Sequence, residues 1–98
     1  MQILKYVLSS NKCKVYMPKD AEILVAKEQN GTICIWALAD TSKPLSPRLI
    51  LSFNTGVEFP PLLTTMMYLG TVQMPNKGAN PQGEVVWHVF EVKRDNLK

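Results

Sequence analysis

Residues 21–40, AEILVAKEQNGTICIWALAD, decide the fold of this chain. Two runs rich in Val, Ile and Trp flank Asn30-Gly31, a dipeptide that tolerates the positive φ angles of a two-residue type I′ turn. Such a turn pairs Gln29 with Thr32, Lys27 with Cys34, Val25 with Trp36 and Ile23 with Leu38. Both faces are apolar near the far end, which predicts a β-hairpin that lies centrally in a sheet.

The rest of the chain also favours strands. Seven prolines divide it into short pieces, and none carries a sustained apolar stripe of helical period. We expect further strands at residues 3–8, 12–17, 48–54, 64–74 and 85–93, with a loop at 75–83. Ser9-Ser10-Asn11 predicts a turn between the first two of these strands, and Gly70 predicts a bulge or a close approach of two backbones.

These elements predict one all-β domain over residues 1–98, built of about seven strands as a small β-sandwich or a partly open barrel. A short helix at residues 60–67 is an alternative there, because proline is tolerated in the first turn of a helix.

Composition narrows the class of protein. The net charge is +3, and the eleven basic residues are scattered, with no run longer than two. Phosphate backbones favour dense positive patches, so nucleic acid is not the expected partner. No apolar stretch approaches the roughly 20 residues of a membrane helix, and Lys5 interrupts the apolar start. We expect a cytoplasmic protein with no membrane partner.

Little in the sequence indicates catalysis. Cys13 and Cys34 form no C-x-x-C pair, and one histidine cannot complete a zinc site with them, so we expect two free thiols. Phosphate-binding glycine motifs and paired carboxylates are not evident. We therefore expect no metal, no cofactor and no enzymatic activity.

His88, the sole histidine, lies in the closing stretch VVWHVFEVKR, residues 85–94. In a strand it shares a face with Val86, Phe90 and Val92, while Val85, Trp87, Val89 and Glu91 share the other. We interpret it as a packed or half-exposed side chain, or a ligand contact. A general base needs a nucleophile or an orienting group, and no acidic spacing identifies one.

Four segments in order resemble a known family: MPKDAEILVAKEQNGTICIWALAD (17–40), NTG (54–56), YLGTVQM (68–74) and VVWHVFEV (85–92). The family comprises small uncharacterised proteins found in phages, prophages and bacteria. Asn54 stands where its turn has a glycine, and the 75–83 insertion is longer than usual. The resemblance implies a phage-linked cytoplasmic protein and supplies no catalytic residues.

The leading hypothesis is a binding protein that inhibits a host defence component by occluding a protein partner. Alternatives are a sponge for a small nucleotide signal, a minor structural or assembly protein of the virion, and a small hydrolase that uses His88. A homo-oligomer is compatible with each. Loops carry recognition while a sheet supplies rigidity, so the expected contact residues, most of them assigned to loops, are Lys43, Arg48, Asn54, Thr55, Lys77 and His88.

Overall fold

A computed structural model describes residues 1–58, 66–75 and 84–93 of the chain. These residues form seven strands and no helix. The strands are β1 (Gln2–Val7), β2 (Lys12–Pro18), β3 (Glu22–Gln29), β4 (Thr32–Ala39), β5 (Leu45–Asn54), β6 (Met66–Pro75) and β7 (Glu84–Val92). Most of the segment predicted as a possible helix, and most of the predicted 75–83 loop, lie outside the described residues. Residues 66 and 67 already belong to β6.

The strands form two antiparallel sheets, which confirms the all-β prediction. The three-stranded sheet has the order β1-β4-β3 and the four-stranded sheet the order β2-β5-β7-β6. The sheets are not closed into a barrel. β1 and β2, although consecutive in sequence, belong to different sheets, so the Ser9-Ser10-Asn11 segment carries the chain from one sheet to the other.

The predicted hairpin exists, with one error in its register. The pairs nearest the turn, Gln29–Thr32 to Val25–Trp36, form as expected. Asn30 and Gly31 have φ angles of 54° and 81°, as a type I′ turn requires. Beyond Val25 the register shifts, so Ile23 faces Ala37 instead of Leu38. A bulge adds a residue to one strand and displaces every later pair. Leu24 lies at this shift and is exposed.

The expectation that the hairpin lies centrally holds for one of its strands only. β4 is the middle strand of its sheet, whereas β3 is an edge strand. The burial follows this placement, since Cys34, Ile35 and Ala37 on β4 are buried. In β3, Ala26 is buried while the last three residues of the strand are exposed.

The core lies between the two sheets. Met17, Ile35, Ile50 and Val89 come from both sheets and have at most 1% of their surface exposed. The sheets approach most closely where β3 meets β6. A Cβ atom placed on Gly70 would lie 3.1 Å from the backbone oxygen of Ala26. The register of β6 also shifts at this glycine, which confirms the predicted bulge and close approach.

Candidate functional site

A buried ion pair joins β5 and β7, neighbouring strands of the four-stranded sheet. The carboxylate of Glu91 accepts hydrogen bonds from Nε and Nη2 of Arg48, the second at 2.9 Å, and Arg48 Nη1 donates to the backbone oxygen of Ala21 at 2.9 Å. The side chains are only 12% and 4% exposed. The hydrogen bonds that Arg48 donates to Glu91 raise the pKa of Arg48 above its ordinary value, against the opposing effect of burial. Arg48 thus links β5 and β7 to the residue that precedes β3.

A cleft of about 410 Å³ lies beside this ion pair. Besides the ion pair, its lining residues include Lys19, Asp20, Met67 and Lys93. Asp20 pairs with Lys43 at 3.3 Å, and both of these side chains are exposed. Three of the five N–H groups of Arg48 are already used. No aromatic ring occurs among the described residues that line the cleft.

A second polar cluster surrounds His88, on the face of the four-stranded sheet opposite the core. His88 Nε2 lies 2.7 Å from Thr55 Oγ1, and Nδ1 lies 3.2 Å from Thr71 Oγ1. The hydroxyl of Tyr68 lies 2.5 Å from Thr71 Oγ1. We call these four residues, Thr55, Tyr68, Thr71 and His88, the His88 network. Both imidazole nitrogens have hydroxyl partners, so a neutral ring donates to one and accepts from the other.

Strand pairing explains why these side chains meet. Thr71 lies directly opposite His88 across the β6–β7 ladder. Thr55 follows the last residue of β5, and its backbone N–H bonds to Val86 O at 3.3 Å. The Tyr68 ring packs edge-on against Phe90, with centroids 5.6 Å apart and an interplanar angle of 62°. The network is therefore held by a ladder, a turn and an aromatic contact.

The structure separates the predicted contact residues. Thr55 and His88 come together, whereas Lys43 pairs with Asp20 near the opposite end of β5. The strand predicted at residues 48–54 is confirmed within β5, so Arg48 and Asn54 are strand residues, and their treatment as loop contacts is wrong. Strand formation places their side chains on the core side, where Arg48 joins Glu91 and the amide nitrogen of Asn54 is buried with no hydrogen-bond acceptor among the described residues. Lys77 lies outside the described residues.

Sequence reasoning did not identify Glu91, Tyr68 and Thr71. For Glu91 a signal existed, since alternation placed this carboxylate on the same side as Val85, Trp87 and Val89. A carboxylate on a core face needs a cationic partner. For Tyr68 and Thr71 the signal required knowledge that β6 pairs with β7.

The described part of the chain contains no cluster of metal ligands, no paired cysteines and no membrane-spanning helix. No three His, Cys, Asp or Glu side chains there are grouped to hold a metal ion. Cys13 and Cys34 are free thiols, the second of them buried. In the described ranges no helix is long and apolar enough to cross a membrane.

The described residues thus define a small all-β domain of two antiparallel sheets with two separate polar clusters. The whole chain, residues 1–98, matches the family model of a domain of unknown function (DUF7352). The chain belongs to that family. No curated protein and no solved structure matches it.

Proposed function

We propose that this chain is a non-enzymatic binding protein that inhibits a protein partner by covering part of its surface. The His88 network is the observation that carries the proposal. Its three hydroxyl-bearing residues are exposed and its histidine is half-buried. Tyrosine is enriched in protein interfaces because it offers a large, amphipathic surface with few rotatable bonds.

Preorganisation supports this assignment. Hydrogen bonds already fix the positions of the Tyr68 hydroxyl and the imidazole, and Phe90 fixes the ring of Tyr68. Ordering a flexible side chain at an interface costs about 0.5–1.5 kcal/mol. A partner that contacts the network avoids much of that cost, which is the behaviour expected of a binding site on a rigid sheet.

The resemblance to phage and prophage proteins supports a finer proposal. On that basis the partner is a component of a host defence system, met in the host cytoplasm. The cleft beside Arg48 does not favour a small nucleotide signal as the ligand. A nucleotide sponge needs basic and aromatic walls, and the cleft beside Arg48 offers basic side chains but no ring among its described lining residues.

Matched tyrosines on the four-stranded sheet provide the test. Tyr68 and Tyr16 are 57% and 55% exposed, but only Tyr68 belongs to the network. A pull-down from infected cells identifies the partner, and calorimetry then measures its affinity for each variant. We expect Tyr68→Ala to weaken binding at least tenfold, equivalent to about 1.4 kcal/mol, and Tyr16→Ala to change it less than about twofold.

Equal losses for the two tyrosine variants would contradict the assignment of the site to the network. Unfolding curves must show both variants folded, so that a loss of binding reports on contact. Recovery of virion proteins in the pull-down would favour a structural role instead of inhibition.

A hydrolase is a second candidate, because Thr55 Oγ1 lies 2.7 Å from His88 Nε2. A hydroxyl within reach of an imidazole is the start of a nucleophile–base pair. The group at Nδ1 is the neutral hydroxyl of Thr71. A neutral hydroxyl stabilises an imidazolium less than the carboxylate of a catalytic triad does. The geometry therefore favours binding over catalysis.

Ester hydrolysis distinguishes the two candidates. With p-nitrophenyl acetate as the substrate, a binding protein gives the same background rate for the wild type, Thr55→Ala and Thr55→Ser. A nucleophilic Thr55 would instead make Thr55→Ala lose the rate above buffer while Thr55→Ser retained it.

A further inference from the structure

The edges of the two sheets differ in how they are protected. Unpaired backbone groups on an edge strand bind other strands unless bulges, lysines or prolines prevent it. β3 and β6 each contain a register shift and pack against each other through Ala26 and Gly70. β2 carries Lys12 and Lys14 and ends at Pro18. Three of the four edge strands are therefore protected by bulges, by lysines or by a proline.

β1, the fourth edge strand, has no bulge and no proline, and its one lysine does not protect it. Its register with β4 is continuous from Gln2 to Val7, and it contains no proline. Ile3 and Val7 are 62% and 55% exposed. A regular edge strand with exposed β-branched residues is a site for addition of another strand.

The alternation of hydrogen bonds shows which backbone groups are available. Leu8 N donates to Ile33 O at 2.9 Å, directly after the last register pair of β1. In an antiparallel ladder, bonded and non-bonded residues alternate. Ile3, Lys5 and Val7 therefore direct their N–H and C=O groups away from β4, where no described strand pairs with them.

The single lysine of β1 does not protect this edge. Lys5 Nζ donates to Gln29 Oε1 at 2.7 Å. Gln29 belongs to β3, on the far side of β4, so the Lys5 side chain crosses its own sheet and leaves the edge. A charge that normally opposes strand pairing is thus held away from the place where a second strand would lie.

We propose that β1 pairs antiparallel with β1 of a second copy of this chain, which joins two three-stranded sheets into one of six strands. Antiparallel pairing of identical strands is two-fold symmetric, the commonest symmetry of soluble homo-oligomers. With Lys5 on the axis, Ile3 of each copy faces Val7 of the other, and about six backbone hydrogen bonds form. The contact between Lys5 and Gln29 reduces the like-charge repulsion at that axis.

This inference goes beyond the proposed function and does not depend on it. The His88 network lies on the other sheet, so the dimer presents two networks. A dimeric target would then be bound with increased avidity. Loss of the dimer by a β1 variant leaves the affinity of a single network unchanged, so the two proposals fail independently.

Sedimentation equilibrium on the full chain, between about 1 and 500 μM, covers the range of a micromolar Kd. The wild type is expected to dimerise. Ile3→Lys combined with Val7→Lys places positive charges opposite one another across the axis and is expected to give a monomer of unchanged circular dichroism. Leu24→Lys is the matched control, since Leu24 is 45% exposed on the bulged edge strand β3, and it is expected to remain dimeric.

Amide hydrogen exchange locates the interface. Dimerisation through β1 is expected to slow exchange at Ile3, Lys5 and Val7 as the protein concentration rises. A wild type that stays monomeric throughout the range would overturn the proposal. A dimer that persists in the double lysine variant would also overturn it, as would protection of amides on a strand other than β1. Equal loss of the dimer in Leu24→Lys would likewise place the interface elsewhere.

Discussion

The two polar clusters of this domain lie on opposite faces of the same sheet and differ in burial. The Arg48–Glu91 pair lies on the core side of the four-stranded sheet, with its side chains 12% and 4% exposed. The His88 network lies on the opposite face, where three of its four members are exposed. A buried polar group depends on its partner because water cannot replace it, whereas an exposed one can exchange its partner for water. The first cluster therefore stabilises the fold, and the second is available for recognition.

Removing one member of the buried pair is the strongest test of this contrast. Arg48→Ala leaves the Glu91 carboxylate buried without a cation, and loss of one partner from such a pair costs about 3–5 kcal/mol. Small domains have about 5–15 kcal/mol of stability in total. We expect the variant to be largely destabilised or unfolded, as measured by urea denaturation. This expectation replaces the interpretation of Arg48 as a contact residue.

The double variant Arg48→Met with Glu91→Leu is the control for that experiment. It removes both charges and keeps much of the volume, which is often neutral or stabilising for buried ion pairs. We expect its free energy of unfolding to lie within about 1–2 kcal/mol of the wild type. If Arg48→Ala alone unfolded like the wild type, the pair would not stabilise the domain.

Features that depend on neighbouring residues in the sequence were predicted well, whereas features that depend on distant strands were not. The turn at Asn30-Gly31 and the first pairs of the hairpin follow from local chemistry, and they were predicted correctly. The shift at Leu24 was missed because the alternation of residue types in this stretch does not mark where an extra residue enters the strand. Local alternation assigned the faces of β7, including the side on which Glu91 lies.

The candidate sites required strand order, which a single sequence does not contain. Arg48 and Glu91 lie 43 positions apart, and Thr55 and His88 lie 33 apart. Each pair meets only because β5 pairs with β7. Arg48 was placed among the contact residues because it was treated as a loop residue, and only the structure shows that Glu91 already accepts its hydrogen bonds.

The smallest expected effect on stability comes from the exposed network. Thr71→Val removes the hydroxyl shared by Tyr68 and His88 while it keeps the shape of a β-branched strand residue. Because Thr71 and Tyr68 are exposed, water can take the place of the lost hydroxyl, so we expect the free energy of unfolding to fall by less than about 0.5 kcal/mol. Partner affinity is expected to fall about tenfold, since Tyr68 and His88 lose their fixed positions.

Thr71→Ser is the control, because it keeps the hydroxyl and should retain the affinity. A loss of more than about 1 kcal/mol in urea denaturation for Thr71→Val would show that the network is a structural device like the Arg48–Glu91 pair, and the division between the two clusters would then be wrong.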